Sequence, residues 1–167
     1  REIVTWESHT KDVVEKSKRI VDRLDIEQDL RNAVILAAEF HDLGKKRVIW
    51  QRSIGNPNPT IWLAKSGGKM KPIELTKYRH EFGSLVDVQD NQDFLNLSTD
   101  LKELVLHLVA AHHGRGRPHF PLDEVFDNEP KGRNVALIAA EVPRRFARLQ
   151  RKYGRWGLAY LESLLRA

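Results

Sequence analysis

An all-α fold is predicted by three observations. Apolar residues recur at helical spacing through most of the chain. No segment reads as a convincing strand, although residues 47–54 could form a short one. Turn-forming residues gather in a few places, above all Gly55-Asn56-Pro57-Asn58-Pro59 and Ser66-Gly67-Gly68.

The first helix is predicted to start at Ser8 as N-cap and to run to about residue 24. Val13, Ile20, Val21 and Leu24 form its apolar stripe. The second covers about 27–43 and is apolar almost all round, through Ala33, Val34, Ile35, Leu36, Ala37, Ala38 and Phe40. Such a helix belongs in the middle of a bundle. A long irregular loop follows at about 47–72, pinned to the body by Trp50, Ile54, Ile61, Trp62 and Leu63. Loops of this length in compact domains are often functional. Helix returns at about 78–90, 100–113 and 133–153, then from 158 to the end. Pro118, Pro121 and Pro130 mark the irregular link after His113.

Composition narrows the chemistry. With 167 residues the chain is one ordinary domain, long enough to bury a core. Its longest apolar stretches, 33–38 and 104–111, are far too short to span a bilayer. No N-terminal segment has the pattern of a signal peptide, so a cytoplasmic protein with no membrane contact is expected. Cysteine is absent, which excludes thiolate ligands and leaves His and carboxylate to hold any metal. The formal net charge of +5 is compatible with a nucleic-acid partner. The sequence starts at Arg1 and ends inside an apparent helix, so it reads as an excerpt of a longer multidomain protein.

Seven histidines carry the strongest signal. On a wheel of about 100° per residue, Leu30, Val34, Ala37 and Ala38 share a face, and His41 falls within it. Asp42 sits one step round. Leu101, Leu104, Val105, Leu108 and Val109 form the inward face of a later helix, with His112 in its middle and His113 one step round. His9 lies one turn before Val13. Three helices therefore aim an imidazole at the core near one end. Burying imidazoles together is unfavourable unless they share a cation or hydrogen-bond partners. A divalent ion held by N and O ligands resolves this. His107 falls off the stripe beside Glu103 and is expected at the surface. His119, between Pro118 and Phe120, is expected in a loop.

The ordered set His9, His41-Asp42-Leu43-Gly44-Lys45, His80-Glu81 and His112-His113 resembles the HD superfamily of metal-dependent phosphohydrolases. Tyr78-Arg79-His80-Glu81, Ala111-His112-His113-Gly114 and the late Tyr153-Gly154-Arg155-Trp156-Gly157-Leu158-Ala159-Tyr160-Leu161-Glu162 resemble, more closely, the HD nuclease of CRISPR systems. That nuclease is the DNA-degrading part of the type I helicase–nuclease. The resemblance covers nearly the whole chain, 1–167, as a single HD domain.

The resemblance implies a helical bundle around one or two divalent ions. It assigns His9, His41 and Asp42 to one ion, with Asp42 shared, and His80, His112 and His113 to the second. The candidates are Mn, Ni, Co, Fe and Mg; residue types alone leave the choice open. It also implies a late Asp ligand, and no Asp occurs in 128–167. Glu141 is one substitute; an Asp soon after Ala167 is the expected one. Lys45 is placed to stabilise charge on a phosphate, beside Asp42 as the second candidate catalytic residue. Its other reading is a cation at a helix C-terminus, which needs no function.

Basic residues suit a polyanion. Arg115 and Arg117 flank His112-His113, and Arg144, Arg148, Arg151, Lys152 and Arg155 recur along one helical face. These are candidate nucleic-acid contacts, although the stripe could equally be a solvated face or a contact with another domain. Trp50, Trp62 and Phe120 could stack on unpaired bases or anchor the loop and core. The expected activity is hydrolysis of single-stranded DNA in CRISPR interference, beside a helicase domain and a surveillance complex. The alternatives are an HD phosphodiesterase acting on nucleotides or cyclic dinucleotides, and a catalytically degenerate HD regulatory domain. The basic Gly114-Arg115-Gly116-Arg117-Pro118 loop favours a longer polyanion.

Overall fold

The computed structural model describes residues 3–65 and 70–166, and these form an all-α bundle. Among the described residues no strand forms; the one extended pairing is an isolated antiparallel bridge between Thr5 and Leu63. The Ser66-Gly67-Gly68 turn lies outside the described residues.

Helix α1 is Trp6–Val21. It begins earlier than expected, because Thr5 rather than Ser8 supplies the cap: its hydroxyl accepts from the Ser8 amide at 3.2 Å. Helix α2, Gln28–Phe40, buries Ala33, Val34, Ala37, Ala38 and Phe40 between α1 and the later helices. A 3₁₀ turn, Leu43–Lys46, follows at once.

Helix α3, Val48–Ser53, stands where residues 47–54 could have formed a short strand. Tertiary contacts decide it. Arg47, buried, precedes the helix and spans Asp87 (2.7 Å) and Asp127 (2.7 Å) with its guanidinium. The Val48 amide is capped by Glu129 at 3.1 Å. Gly55, at φ 72°, turns the chain away just after the C-terminus. The rest of the loop is held by backbone bonds to the N-terminal segment, Trp6 N–H to Trp62 O (2.8 Å) and Ala64 N–H to Val4 O (2.9 Å). Of its predicted anchors, Ile54 and Leu63 are buried, Trp50 is half-buried, and Ile61 and Trp62 are exposed.

After the short helix α4, Pro72–Leu75, comes α5, His80–Val88, buried on every face except at Asp87. Helix α6, Gln92–Leu95, leads to α7, Thr99–Ala111, capped by Ser98. Helix α8 runs Val135–Arg166 and is broken at Gly154, whose φ of 73° no helix accommodates. Gly154 thus separates two helical stretches, as the sequence suggested, with the second resuming directly after it rather than at 158. Helix α7 is enclosed by α2, α5 and α8, so all of Leu104–Ala111 is buried. That overturns the surface placement of His107, which is 1% exposed and bonded to Glu162 at 2.7 Å. His119 is in an exposed loop, as expected.

Candidate metal centre

The site is built where the ends of α2 and α7 meet the start of α5. Gly44 makes that approach possible. A Cβ there would lie 2.1 Å from the His80 carbonyl oxygen, so only glycine lets the turn rest on α5. Three hydrogen bonds then lock it. Ser84 Oγ donates to His41 O (2.8 Å), the Gly44 amide donates to Ser84 Oγ (2.9 Å), and Tyr78 OH donates to Gly44 O (2.8 Å).

Asp42 is the centre, with 1% of its side chain exposed. Its two carboxylate oxygens face different histidines. Oδ2 is 3.2 Å from His9 Nε2 and 3.1 Å from His41 Nε2. Oδ1 is 3.2 Å from His80 Nε2 and 3.7 Å from His112 Nε2. Lys45 Nζ approaches Oδ2 at 2.7 Å. His113 completes the second group, its ring 4.2 Å from that of His112 and 5.1 Å from that of His80. All six residues assigned to metal from the sequence converge here, in the two sets His9, His41, Asp42 and Asp42, His80, His112, His113.

The donors fit metal ions. Neither Asp42 oxygen accepts an aligned hydrogen bond, an uncommon state for a buried carboxylate. His41 Nδ1 lies 2.7 Å from Ala38 O and His112 Nδ1 2.7 Å from Val109 O. A carbonyl only accepts, so Nδ1 carries the proton and each Nε2 turns its lone pair toward the centre, that of His112 lying 3.2 Å from His80 Nε2. Ligand atoms around one ion, at bonds of about 2.1 Å, lie about 3.0–3.4 Å apart, which matches most of the separations here.

The charges agree. Burial alone would raise the Asp42 carboxyl, but contacts with His112, His41, His80 and His9 hold it well below its ordinary range. Burial pushes the His112 imidazole down, and burial with the charges of His112 and His80 holds His113 at about 4. Both imidazoles are therefore neutral at neutral pH.

Two cavities reach the site. One of about 370 Å³ is lined by Trp50, Arg79, His80, Glu81, His113 and Arg115 among others. The other, about 420 Å³, is lined by His9, Val13, His41, His112, His113, Leu165 and Arg166. The four arginines singled out in the sequence part company. Arg115 lies at the first cavity, 3.4 Å from Glu124. Arg117 pairs with Glu162 at 2.7 Å. Arg144 and Arg148 pair with Glu141 at 3.0 and 2.9 Å, and Arg148 also with Glu103 at 2.5 Å. Glu103 precedes His112 by nine residues, about 13 Å along the helix. Glu141 is thus spent on arginines and belongs to neither metal set, which removes it as a substitute ligand. Of the three candidate stacking residues, Trp50 faces the site, its ring 4.8 Å from His80. Phe120 packs in the core against Phe82, and Trp62 covers Lys46.

Three residues at the site were not assigned from the sequence. Arg79 and Glu81 flank His80, where no periodicity marks them because nearly the whole of α5 is buried. Arg166, a basic residue in the last turn of α8, donates to Ala111 O at 2.5 Å beneath His112 and His113.

The family model described as Cas3, HD domain matches residues 3–161. The chain belongs to the Cas3 HD-domain family. No curated protein and no solved structure matches it. In this Cas3 HD domain, among the described residues, no helix is long and apolar enough to cross a membrane.

Proposed function

We propose that this Cas3 HD domain is a metal-dependent nuclease that hydrolyses phosphodiester bonds of single-stranded DNA in CRISPR interference, in the cytoplasm. The observation that carries the reading is the division of Asp42: one oxygen serves His9 and His41, the other His80 and His112. Asp42 would hold one ion together with His9 and His41 and a second together with His80, His112 and His113. Divalent ions bound there supply a water activated at neutral pH and charge to neutralise the phosphate. Asp42 and the five histidines hold them. Lys45, beside Asp42, is positioned to meet charge developing on phosphate oxygens.

Arg115, with Arg79, lines the His80–His113 cavity that a strand would enter. Arg117, Arg144 and Arg148 would reach DNA by exchanging carboxylate partners for phosphates. A helicase domain feeding the strand and a surveillance complex recruiting it are the partners this reading requires. The intact ligand set weighs against a degenerate regulatory domain.

The test is cleavage of single-stranded DNA, duplex DNA, RNA and a cyclic dinucleotide with Mn, Ni, Co, Fe or Mg. Single-stranded DNA should be cut, and a chelator should stop it. Preference for the cyclic dinucleotide, or no cleavage with any metal, would overturn the proposal.

A further inference from the structure

His41, His80 and His112 all turn Nε2 toward Asp42, but what stands behind each Nδ1 differs. His41 and His112 end their helices and donate to the carbonyl three residues back, Ala38 O and Val109 O, both at 2.7 Å. His80 has no such partner. It is the first residue of α5, and the residue three places back, Lys77, has a left-handed backbone at φ 67° outside any helix. Its Nδ1 instead faces Glu81 Oε2 at 3.4 Å. Glu81 is 2% exposed, and that oxygen accepts no hydrogen bond from any group. A buried carboxylate oxygen with free lone pairs lies beside an imidazole whose other nitrogen faces the metal pocket.

We propose that Glu81 is a positioning residue for His80, and that it makes the two ion positions unequal. This rests on the two-ion reading above. By accepting a hydrogen bond from Nδ1–H once an ion holds the ring, Glu81 would fix the His80 Nε2 lone pair toward the side of Asp42 Oδ1. A carboxylate behind an imidazole also raises its donor strength more than a carbonyl does. The His80, His112, His113 position thus gains a negative charge behind one ligand. The His9, His41 position has no such support, and the Lys45 ammonium lies 2.7 Å from the Asp42 oxygen that serves it. Cation repulsion weakens binding there. The ion at His80, His112 and His113 therefore binds first and more tightly.

The experiment is calorimetric titration of manganese into the full chain, wild type and Glu81→Gln, with electron paramagnetic resonance of the bound manganese. The wild type should take up two ions in two steps. Glu81→Gln should weaken the tighter step about 10–100-fold and leave the weaker step unchanged, and Glu81→Asp should fall between. An unchanged tight step in Glu81→Gln, with two ions bound to the wild type, overturns this inference alone. A single ion in the wild type overturns the two-ion reading as well.

Discussion

His107 on α7 and His112 at its C-terminal cap lie five residues apart, both buried, in opposite chemical situations. His107 has its partner: Glu162 accepts at 2.7 Å, and Arg117 balances that carboxylate. His112 has Val109 O behind it, but in front it shares the single carboxylate Asp42 with three further histidines and Lys45. The arginine stripe of α8 resembles the first case. Arg144, Arg145 and Arg148 are matched by Glu103 and Glu141. Polar groups that satisfy one another hold a fold together, whereas buried lone pairs converging on one carboxylate need a cation.

The largest expected effect comes from Asp42, since both ion positions depend on it. Asp42→Ala should lower metal-dependent cleavage by about 10²–10³-fold, the scale lost when a preorganised electrostatic element is removed. Circular dichroism should show the fold intact. Activity within tenfold of wild type would remove Asp42 from its assigned role.

The two histidines can then be set against each other. His107→Ala should cost about 2–3 kcal/mol of stability by cavity and lost hydrogen bond, with metal uptake retained. His112→Ala should lose an ion while changing the metal-free unfolding midpoint less. Parallel denaturant and metal titrations read both, and the reverse pattern would collapse the distinction.

Much of the centre was legible because His41 and His112 extend apolar stripes that α2 and α7 reveal by themselves. His107 was not, because the face it occupies is buried by α8, some fifty residues later in the chain. Helix α3 was misjudged for a like reason: Val48 and Ile49 favour a strand locally, while Arg47 between Asp87 and Asp127 sets the backbone. Ser8 was a sound cap by residue type, but Thr5, three residues earlier, has the extended backbone a cap needs. Glu81 stood in the motif beside His80, but no periodicity gave it a role, because both are buried in a helix with almost no exposed face.

Acidification should sharpen the contrast further. Burial alone would raise the Glu162 carboxyl, but His107 and Arg117 hold it below its ordinary 4.5. Its folded value is depressed, so its contribution is complete above about 4.5 and is lost as pH falls through the folded value. Glu162→Gln should therefore be less stable than wild type at pH 7, with the gap narrowing toward pH 3. A gap constant with pH would mean that ionisation plays no part.

The smallest effects belong to the arginines. Arg115→Ala should weaken binding of single-stranded DNA by about 1 kcal/mol and reduce its salt dependence by about one charge. Arg148→Ala should change it less, since Glu103 and Glu141 already neutralise that side chain. Equal losses in a fluorescence titration would place the α8 stripe on the DNA path.

The bridging role of Asp42 is tested most directly by anomalous diffraction from crystals soaked in manganese. The expected result is two peaks about 3.5–4 Å apart on either side of Asp42, one beside His9 and His41 and the other beside His80, His112 and His113. One peak, or none with Asp42 still turned to Lys45, would contradict it.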